Sequence, residues 1–483
     1  VLGTTGIAEY QAGLSLWSQG LREEAVERFE RALSADPSIA SSPYLEGLDR
    51  ARAGDIAGAE GWLWLARMFQ PEHVPTLRCL GDVLRRLGRL DEALPLLTEA
   101  VEREPRSWEA HSDLSLALWE LDLFDRASAS ALRAVELHGW DARLCANLAI
   151  IRKCQGRFDE ALALLDQAIR AAPAFQAAHV NRAHLLLQLG RFDEGWQAYE
   201  WRPTKKLTGP ELGRGRVLAG KRVLLHQEQG LGDLIQFSRY CAVLEKAGAR
   251  VTLSCEETMI PLMLRTRGVT AAVPWTGPAP DFDFEGNLLS LPSILRVGAD
   301  AMGAAVPYLT PDPALVAAWR ERLAGEQRLR VGVVWGGNPA NPNHRRRSIS
   351  LHQLAPVLRN PRVAFYSLQR GPQSKDLEHV PENVRLVDLG SQCEAVMDTA
   401  AVMMNLDLII SADTMPAHLA GALGRPVWLL LHSVPDWRWM MERDDSPWYP
   451  STRLFRQTSP GDWTGVTGRL AAALDGFFTV THR

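Results

Sequence analysis

At 483 residues the chain has room for roughly two to four domains, and its 46% apolar and 23% charged residues are those of an ordinary globular protein. The formal charge of −4 makes no general electrostatic case for binding nucleic acid or an anionic membrane surface. No apolar run reaches the 18 or so residues of a membrane span, and nothing at the start has the form of a signal peptide; six cysteines without a Cys-x-x-Cys pair read as free thiols in a reducing compartment, so the expected location is the cytoplasm.

The N-terminal part carries a period. Gly20, Gly54, Gly88, Asp122, Gly156 and Gly190 succeed one another in steps of 34. Ala25, Ala59, Ala93, Ala127, Ala161 and Gly195 keep the same phase, as do Ala32, Ala66, Ala100, Ala134 and Ala168. Pro37, Pro71, Pro105 and Pro173 close their units, with Gly139 in place of proline in the fourth. Small residues let paired helices approach, Gly or Asp permits the turn between them, and Pro ends the second helix. The pattern resembles the tetratricopeptide repeat and predicts six antiparallel helical hairpins, an α solenoid over residues 1–202. The sixth departs from it, with Gly195 for Ala and Arg202 where the next small residue belongs. A terminal unit of this kind docks on the neighbouring domain, and Trp196, Tyr199 and Trp201 are the residues expected to do so. Trp62, Trp64, Trp108, Trp119 and Trp140 are expected packing residues. Such a stack offers a concave groove for a protein segment; the plainer expectation is a spacer or a dimerisation surface.

Residues 203–219, rich in Pro, Gly, Lys and Arg without periodicity, read as a linker wrapped onto the next domain. Strands are predicted at 222–225, 250–255 and 269–274 and a short strand and turn over 283–290, with helices over 234–247 and 257–264 and a helical turn at 293–297. The phasing restarts near Pro311. Strands at 330–335, 363–368, 384–388, 408–411, 427–431 and 453–456 alternate with helices over 314–323, 351–359, 397–405, 414–423 and 462–478. Two blocks of alternating strand and helix mean two doubly wound parallel domains, 220–310 and 311–483, with ligand in the crevice between them.

Three stretches could carry chemistry. In Gln229-Gly-Leu-Gly-Asp233, Gly230 and Gly232 turn the chain sharply and let a ligand come close, and Asp233 stands at a helix start as a cap or a base. Asp413-Thr414, with Pro416 and His418 just after, opens a second helix whose first amides and hydroxyl suit an anion; the bland alternative makes Asp413 a cap and His418 a core histidine. The loop from Trp335-Gly-Gly-Asn338-Pro339 to His344-Arg-Arg-Arg347-Ser348 brings guanidinium groups suited to phosphate, with Arg345 and Arg346 read as solvated. Asp281-Phe-Asp283 has the form of a metal-dependent sugar-transferase motif but ends no convincing strand. No zinc spacing, Walker loop or Gly-x-Ser-x-Gly elbow is present, and no metal is expected.

With Ser367-Leu-Gln369, His418-Leu-Ala420 and Pro435-Asp-Trp-Arg-Trp439 added, the chain resembles bacterial repeat proteins that carry a glycosyltransferase of the GT-B fold. Its second half is similar to the lipopolysaccharide heptosyltransferases and, more loosely, to O-GlcNAc transferase-like enzymes. The resemblance implies an inverting, metal-independent transferase in which Asp233 is the general base. It places Gly230, Gly232, Asn338, Arg347, Ser348, Gln369, Asp413, Thr414 and His418 around a nucleotide-sugar donor, the substrate, with no cofactor. Met415 and Pro416 depart from the small residues usual there. The expected acceptor is a hydroxyl on a protein such as a flagellin, selected by the repeats. The alternatives are a non-catalytic scaffold that only senses a nucleotide sugar, and a transferase acting on a lipid-linked glycan.

Overall fold

The structure, a computed structural model, describes residues 2–19, 21–296, 306–339 and 344–481. Gly20 and Val297, assigned from sequence to a turn and a helix end, lie outside them. The chain divides into two compact units, Val1–Ala178 and His179–Arg483.

The first unit is a series of helical hairpins. They are α1 (Leu2–Ser18) with α2 (Arg22–Ala35), α3 (Ser42–Ala53) with α4 (Ile56–Phe69), and α5 (Val74–Arg86) with α6 (Leu90–Arg103). Two more come after them, α7 (Trp108–Glu120) with α8 (Phe124–His138) and α9 (Ala142–Cys154) with α10 (Phe158–Ala171). Both alanine series of the period are sealed from solvent, from Ala25 and Ala32 through Ala161 and Ala168. A larger side chain there would hold the helices of a pair apart. The turn residues Gly54, Gly88 and Gly156 take φ of 88°, 78° and 75°, and Asp122 takes 62° at the same place. Glycine tolerates that left-handed backbone freely, and aspartate is among the few others that do. Charged pairs one repeat apart tie successive hairpins: Arg78 Nε lies 2.9 Å from Asp113 Oδ2, and Arg85 pairs with Glu120. Trp62, Trp64, Trp108 and Trp119 pack partly buried against the helix core as expected, Trp108 also stacking on His138 at 4.0 Å, whereas Trp140, in the turn after α8, is 51% exposed.

The second unit begins with one more hairpin, α11 (Gln176–Gln188) and α12 (Phe192–Tyr199). By period it continues the repeats; by packing, residues from His179 on group with the α/β part of the chain. Next come β1 (Arg222–His226), α13 (Leu231–Ser238), α14 (Cys241–Lys246), β2 (Arg250–Cys255), α15 (Ile260–Met263), β3 (Val269–Pro274), β4 (Phe284–Asn287) and α16 (Leu291–Leu295). Their strands form a parallel sheet in the order β3-β2-β1-β4. Then come α17 (Pro313–Leu323), β5 (Leu329–Val334), α18 (His344–Arg347), α19 (Leu351–Leu358), β6 (Val363–Ser367), β7 (Leu386–Asp388) and α20 (Val396–Met403). The chain closes with β8 (Leu408–Ala412), α21 (Met415–Ala422), β9 (Val427–Leu431), β10 (Thr452–Arg456) and α22 (Trp463–Thr481). This second sheet, also parallel, runs β10-β9-β8-β5-β6-β7. Helices cover both of its faces. Leu408, Ile410 and Leu430 meet α19 and α22 on one side, and Ile409, Leu429 and Leu431 meet α17, α20 and α21 on the other. That is why these strands read as unbroken apolar runs. No helix among the described residues is long and apolar enough to cross a membrane.

The helix expected over 234–247 is two helices. Arg239 Nε donates to the Gln236 carbonyl at 2.7 Å, the oxygen that a continuing helix would give to the Tyr240 amide. Tyr240 N–H turns to Phe237 O instead, at 3.1 Å, and the guanidinium enters the core. The polar loop after β5 also holds an unexpected turn of helix, α18, and residues 340–343 lie outside the described set.

Residues 203–219 lie along the four-stranded lobe. Leu212 N–H donates to Glu285 O at 2.7 Å and Glu285 N–H to Pro210 O at 2.8 Å. Just before them, Arg202 is buried and forks onto the buried Glu228 carboxylate at 3.1 and 3.0 Å. Trp196 packs edge-on against Phe237, Trp437 and Trp448, with ring centres 6.0, 5.5 and 6.3 Å away. Tyr199 joins them, its ring centre 6.0 Å from that of Trp437. Trp201 does not: it is 42% exposed and stacks on His179 at 3.8 Å.

Candidate functional site

The carboxyl ends of β1, β5, β6 and β8 all open on one cleft of about 920 Å³ between the two lobes of the second unit. Parallel sheets bind ligands at that edge because the strands end there and the helices begin. Asp281 and Asp283 sit at the other, amino end of the four-stranded sheet, paired with Arg222 at 3.5 and 3.4 Å.

On the four-stranded lobe, Gly230 precedes α13 and Asp233 Oδ2 accepts its N–H at 2.9 Å, so the carboxylate caps the helix from its third position. Gly232 is there for close approach: a Cβ on it would lie 2.9 Å from His418 Cδ2. On the six-stranded lobe, Thr414 and not Asp413 precedes α21, and no side chain caps the helix. The Thr414 hydroxyl donates to Ala412 O at 3.3 Å, and Pro416 occupies the first turn. That helix start opens on the cleft.

Asp413 is spent on charge. Its Oδ2 lies 3.7 Å from Arg347 Nε, while Arg347 Nη2 reaches Asp436 Oδ2 at 3.1 Å. Arg438 Nη1 takes Asp436 Oδ1 at 2.8 Å, its Nη2 pairs with Asp233 Oδ1, and its Nε donates to Gln236 Oε1 at 2.7 Å. Burial pushes the Asp413 carboxyl up, against the pull of Arg347. Burial acts on Asp436 too, but the Arg438 and Arg347 guanidiniums outweigh it and hold that carboxyl well below the usual range. Neither arginine can lose its charge in such company.

Of the residues named from sequence, Gly230, Gly232, Asp233, Asn338, Arg347, Gln369, Asp413, Thr414 and His418 line the cleft. Ser348 stands off it, its Oγ 3.1 Å from His344 Nδ1, because the chain turns inward to bury Ile349. Gln369 offers no spare polar group: its Oε1 accepts from Trp335 and Gly336 N–H at 3.1 and 3.0 Å, and its Nε2 donates to Gly336 and Arg370 O at 3.0 and 2.9 Å. It braces the loop after β5. His418 is a buried histidine on the cleft floor, 3.0 Å from the Tyr449 hydroxyl and stacked on Trp439. Arg438 and Asp436, central to the geometry, had no assigned role from sequence. Their signal was a charged pair threaded between tryptophans in Pro435-Asp-Trp-Arg-Trp439, in a stretch with no strand or helix to suggest a direction. Among the described residues, no group of three or more His, Cys, Asp or Glu could hold a metal.

Burial, with Arg438 as the next cause, pushes His418 down from 6.5 to about 3. The unfolded chain therefore binds a proton here that the native state refuses, so the site costs stability as pH falls from 6.5 towards 3 and costs nothing above that window. The slope is at most about 1.4 kcal/mol per pH unit. Replacing His418 with Gln should flatten the loss of stability in that window, as read from urea midpoints. An unchanged pH dependence would return the acid sensitivity to the carboxylates.

Family models for the tetratricopeptide repeat match residues 10–69, 80–139 and 155–197. The N-terminal region is built of tetratricopeptide repeats. Over most of its length the chain is similar to Protein FlbA of Caulobacter vibrioides, at 29% identity over 521 residues, covering 92% of this chain and 86% of that protein. It is also similar to human Tetratricopeptide repeat protein 13, at 32% identity over 95 residues, 19% of this chain and 11% of that one. Among solved structures, TTC0263, a thermophilic repeat protein of Thermus thermophilus, aligns at 26% identity with a TM-score of 0.29, over 38% of this chain and 99% of its own.

Proposed function

We propose that the second unit is a glycosyltransferase of the GT-B fold that moves a sugar from a nucleotide-sugar donor to a hydroxyl of a protein, such as a flagellin, engaged by the repeats. One observation carries the reading: a helix-capping carboxylate, Asp233, and an uncapped helix start, Thr414, face the same cleft from the carboxyl ends of two parallel sheets. The acceptor oxygen attacks the anomeric carbon while Asp233 takes its proton, and the bond to the nucleotide phosphate breaks with inversion. The charge that develops on the leaving phosphate falls on the first amides of α21 and on Arg347. Asn338, at the exposed end of the loop after β5, contributes to the donor side. The repeats supply the acceptor by holding a segment of it, and remote contacts of that kind convert binding into attack geometry.

A second reading, binding of a nucleotide sugar without transfer, is favoured by the fact that both Asp233 oxygens already have partners. Replacing Asp233 with Asn separates the two. Transfer should fall by about 10²–10⁴-fold, the usual cost of a general base, with donor affinity kept. Turnover near that of the wild type in a folded variant would remove Asp233 from the chemistry, and absence of donor hydrolysis by the wild type with every nucleotide sugar would favour the binding role.

A further inference from the structure

The two walls of the cleft differ in charge. Every arginine and histidine that lines it, His344, Arg347, Arg370, His418 and Arg438, belongs to the six-stranded lobe. The four-stranded lobe contributes two ionisable groups to the lining, and both are carboxylates, Asp233 and Glu256. Asp233 is paired with Arg438. Glu256 accepts from Thr258 Oγ1 at 2.7 Å and, among the described residues, pairs with no cation. Beside it stands Trp275. Cys255 ends β2 opposite Pro274, which ends β3, so Glu256 and Trp275 follow on adjacent strand ends. Trp275 N–H donates to Cys255 O at 2.9 Å. Glu256 N–H donates to Gln227 Oε1, also at 2.9 Å, in the loop that leads on to Asp233. Trp275 is 44% exposed, while Trp335, Trp437, Trp439 and Trp448 of the same unit are buried.

We propose that Glu256 and Trp275 form an acceptor subsite for a cationic side chain, arginine above all, close in sequence to the hydroxyl that receives the sugar. The inference rests on the reading of the second unit as a transferase with a protein acceptor, and it names the kind of segment preferred. An indole face attracts a guanidinium laid over it, and a neighbouring carboxylate takes the fork of N–H groups. Lysine satisfies the charge but makes neither the planar stack nor the fork. A lipid-linked diphosphate finds no cation on this wall and meets Glu256 instead. Charge therefore sorts the substrates: the anionic one goes to the six-stranded wall and the hydroxyl-bearing one to the other. Complementarity of this sort fixes partner and orientation more than it adds affinity.

The test reads binding to the full chain and needs no nucleotide sugar. Its probes are three acetylated, amidated tripeptides, each a serine flanked by glycine and by arginine, glutamine or glutamate. Saturation-transfer NMR gives their dissociation constants. The arginine peptide should bind about tenfold more tightly than the glutamine peptide, the product of a cation–π contact and a partly exposed ion pair. The glutamate peptide should bind least. Glu256→Gln and Trp275→Leu should each cut the preference for arginine by about two- to fivefold, and the double variant should abolish it. Both side chains stand partly in solvent, so these variants are expected to fold, which circular dichroism checks. Peptides bound alike by the wild type, or a preference that survives in the folded double variant, overturn the subsite. So does the absence of binding at the highest soluble peptide concentration. Failure of the transferase reading shows elsewhere, as nucleotide sugars left unhydrolysed by a protein that still sorts the peptides.

Discussion

A fragment that begins at Gly220 is expected not to fold, whereas one that begins at Pro173 should unfold in a single cooperative transition. The cut at Gly220 removes α12 and with it Phe192, Trp196 and Tyr199, all members of the main core of the second unit. Deleting a buried aromatic costs about 3–5 kcal/mol, so three approach the whole stability of a typical domain, about 5–15 kcal/mol. It also removes Arg202 and leaves the buried Glu228 carboxylate without its cation. Burial already pushes that carboxyl up even with Arg202 in place. Near-ultraviolet circular dichroism and a urea titration of both fragments decide the matter. A Gly220 fragment with native-like spectra and a sharp transition would show that the last hairpin only decorates the α/β unit.

Replacing Arg239 with Met should cost about 3–5 kcal/mol and lower the melting temperature by roughly 10 °C. The guanidinium is fully enclosed. It donates to Gln236 O, to Trp448 O at 2.8 Å and to the Tyr308 hydroxyl at 3.2 Å, with the Tyr308 and Tyr449 ring centres 4.9 and 4.8 Å away. Burial opposes its charge, and the surrounding tyrosines together with the Tyr308 hydrogen bond favour it. Methionine fills the volume but returns none of the three hydrogen bonds, and the carbonyls left behind are sealed from water. Equilibrium urea unfolding measures the loss; a change within about 1 kcal/mol would mean that the tyrosine and tryptophan rings close over the gap unaided.

The repeats were legible because their signal is local and redundant. A small residue recurs wherever two helices touch, and a positive-φ residue wherever they turn, so successive copies report the same geometry. The strands were legible for a related reason: burial on both faces leaves an apolar run whose length sets a strand. Arg239 was not, since a charged residue in a helical pattern looks solvated until its carbonyl partners on distant segments are known. Arg438 and Asp436 were hidden in the same way. The α13 partners of Arg438 lie about two hundred residues away in sequence and leave no spacing to read. Trp201 failed from the other side, because a step of two residues separates the ring that enters the core at Tyr199 from the ring that meets His179.

The aromatic cluster has an optical consequence. Trp196, Trp437 and Trp448 are buried, nearly perpendicular in pairs and within 6.3 Å of one another, so their excited states are coupled and shielded from water. Such rings emit towards the blue and give intense near-ultraviolet bands. Because Trp437 touches the Arg438 guanidinium, any ligand that shifts that charge should change the colour and yield of the protein's own fluorescence. The molecule thus carries an unlabelled reporter of its cleft, against which libraries of sugars, nucleotides and phosphates can be screened in a cuvette.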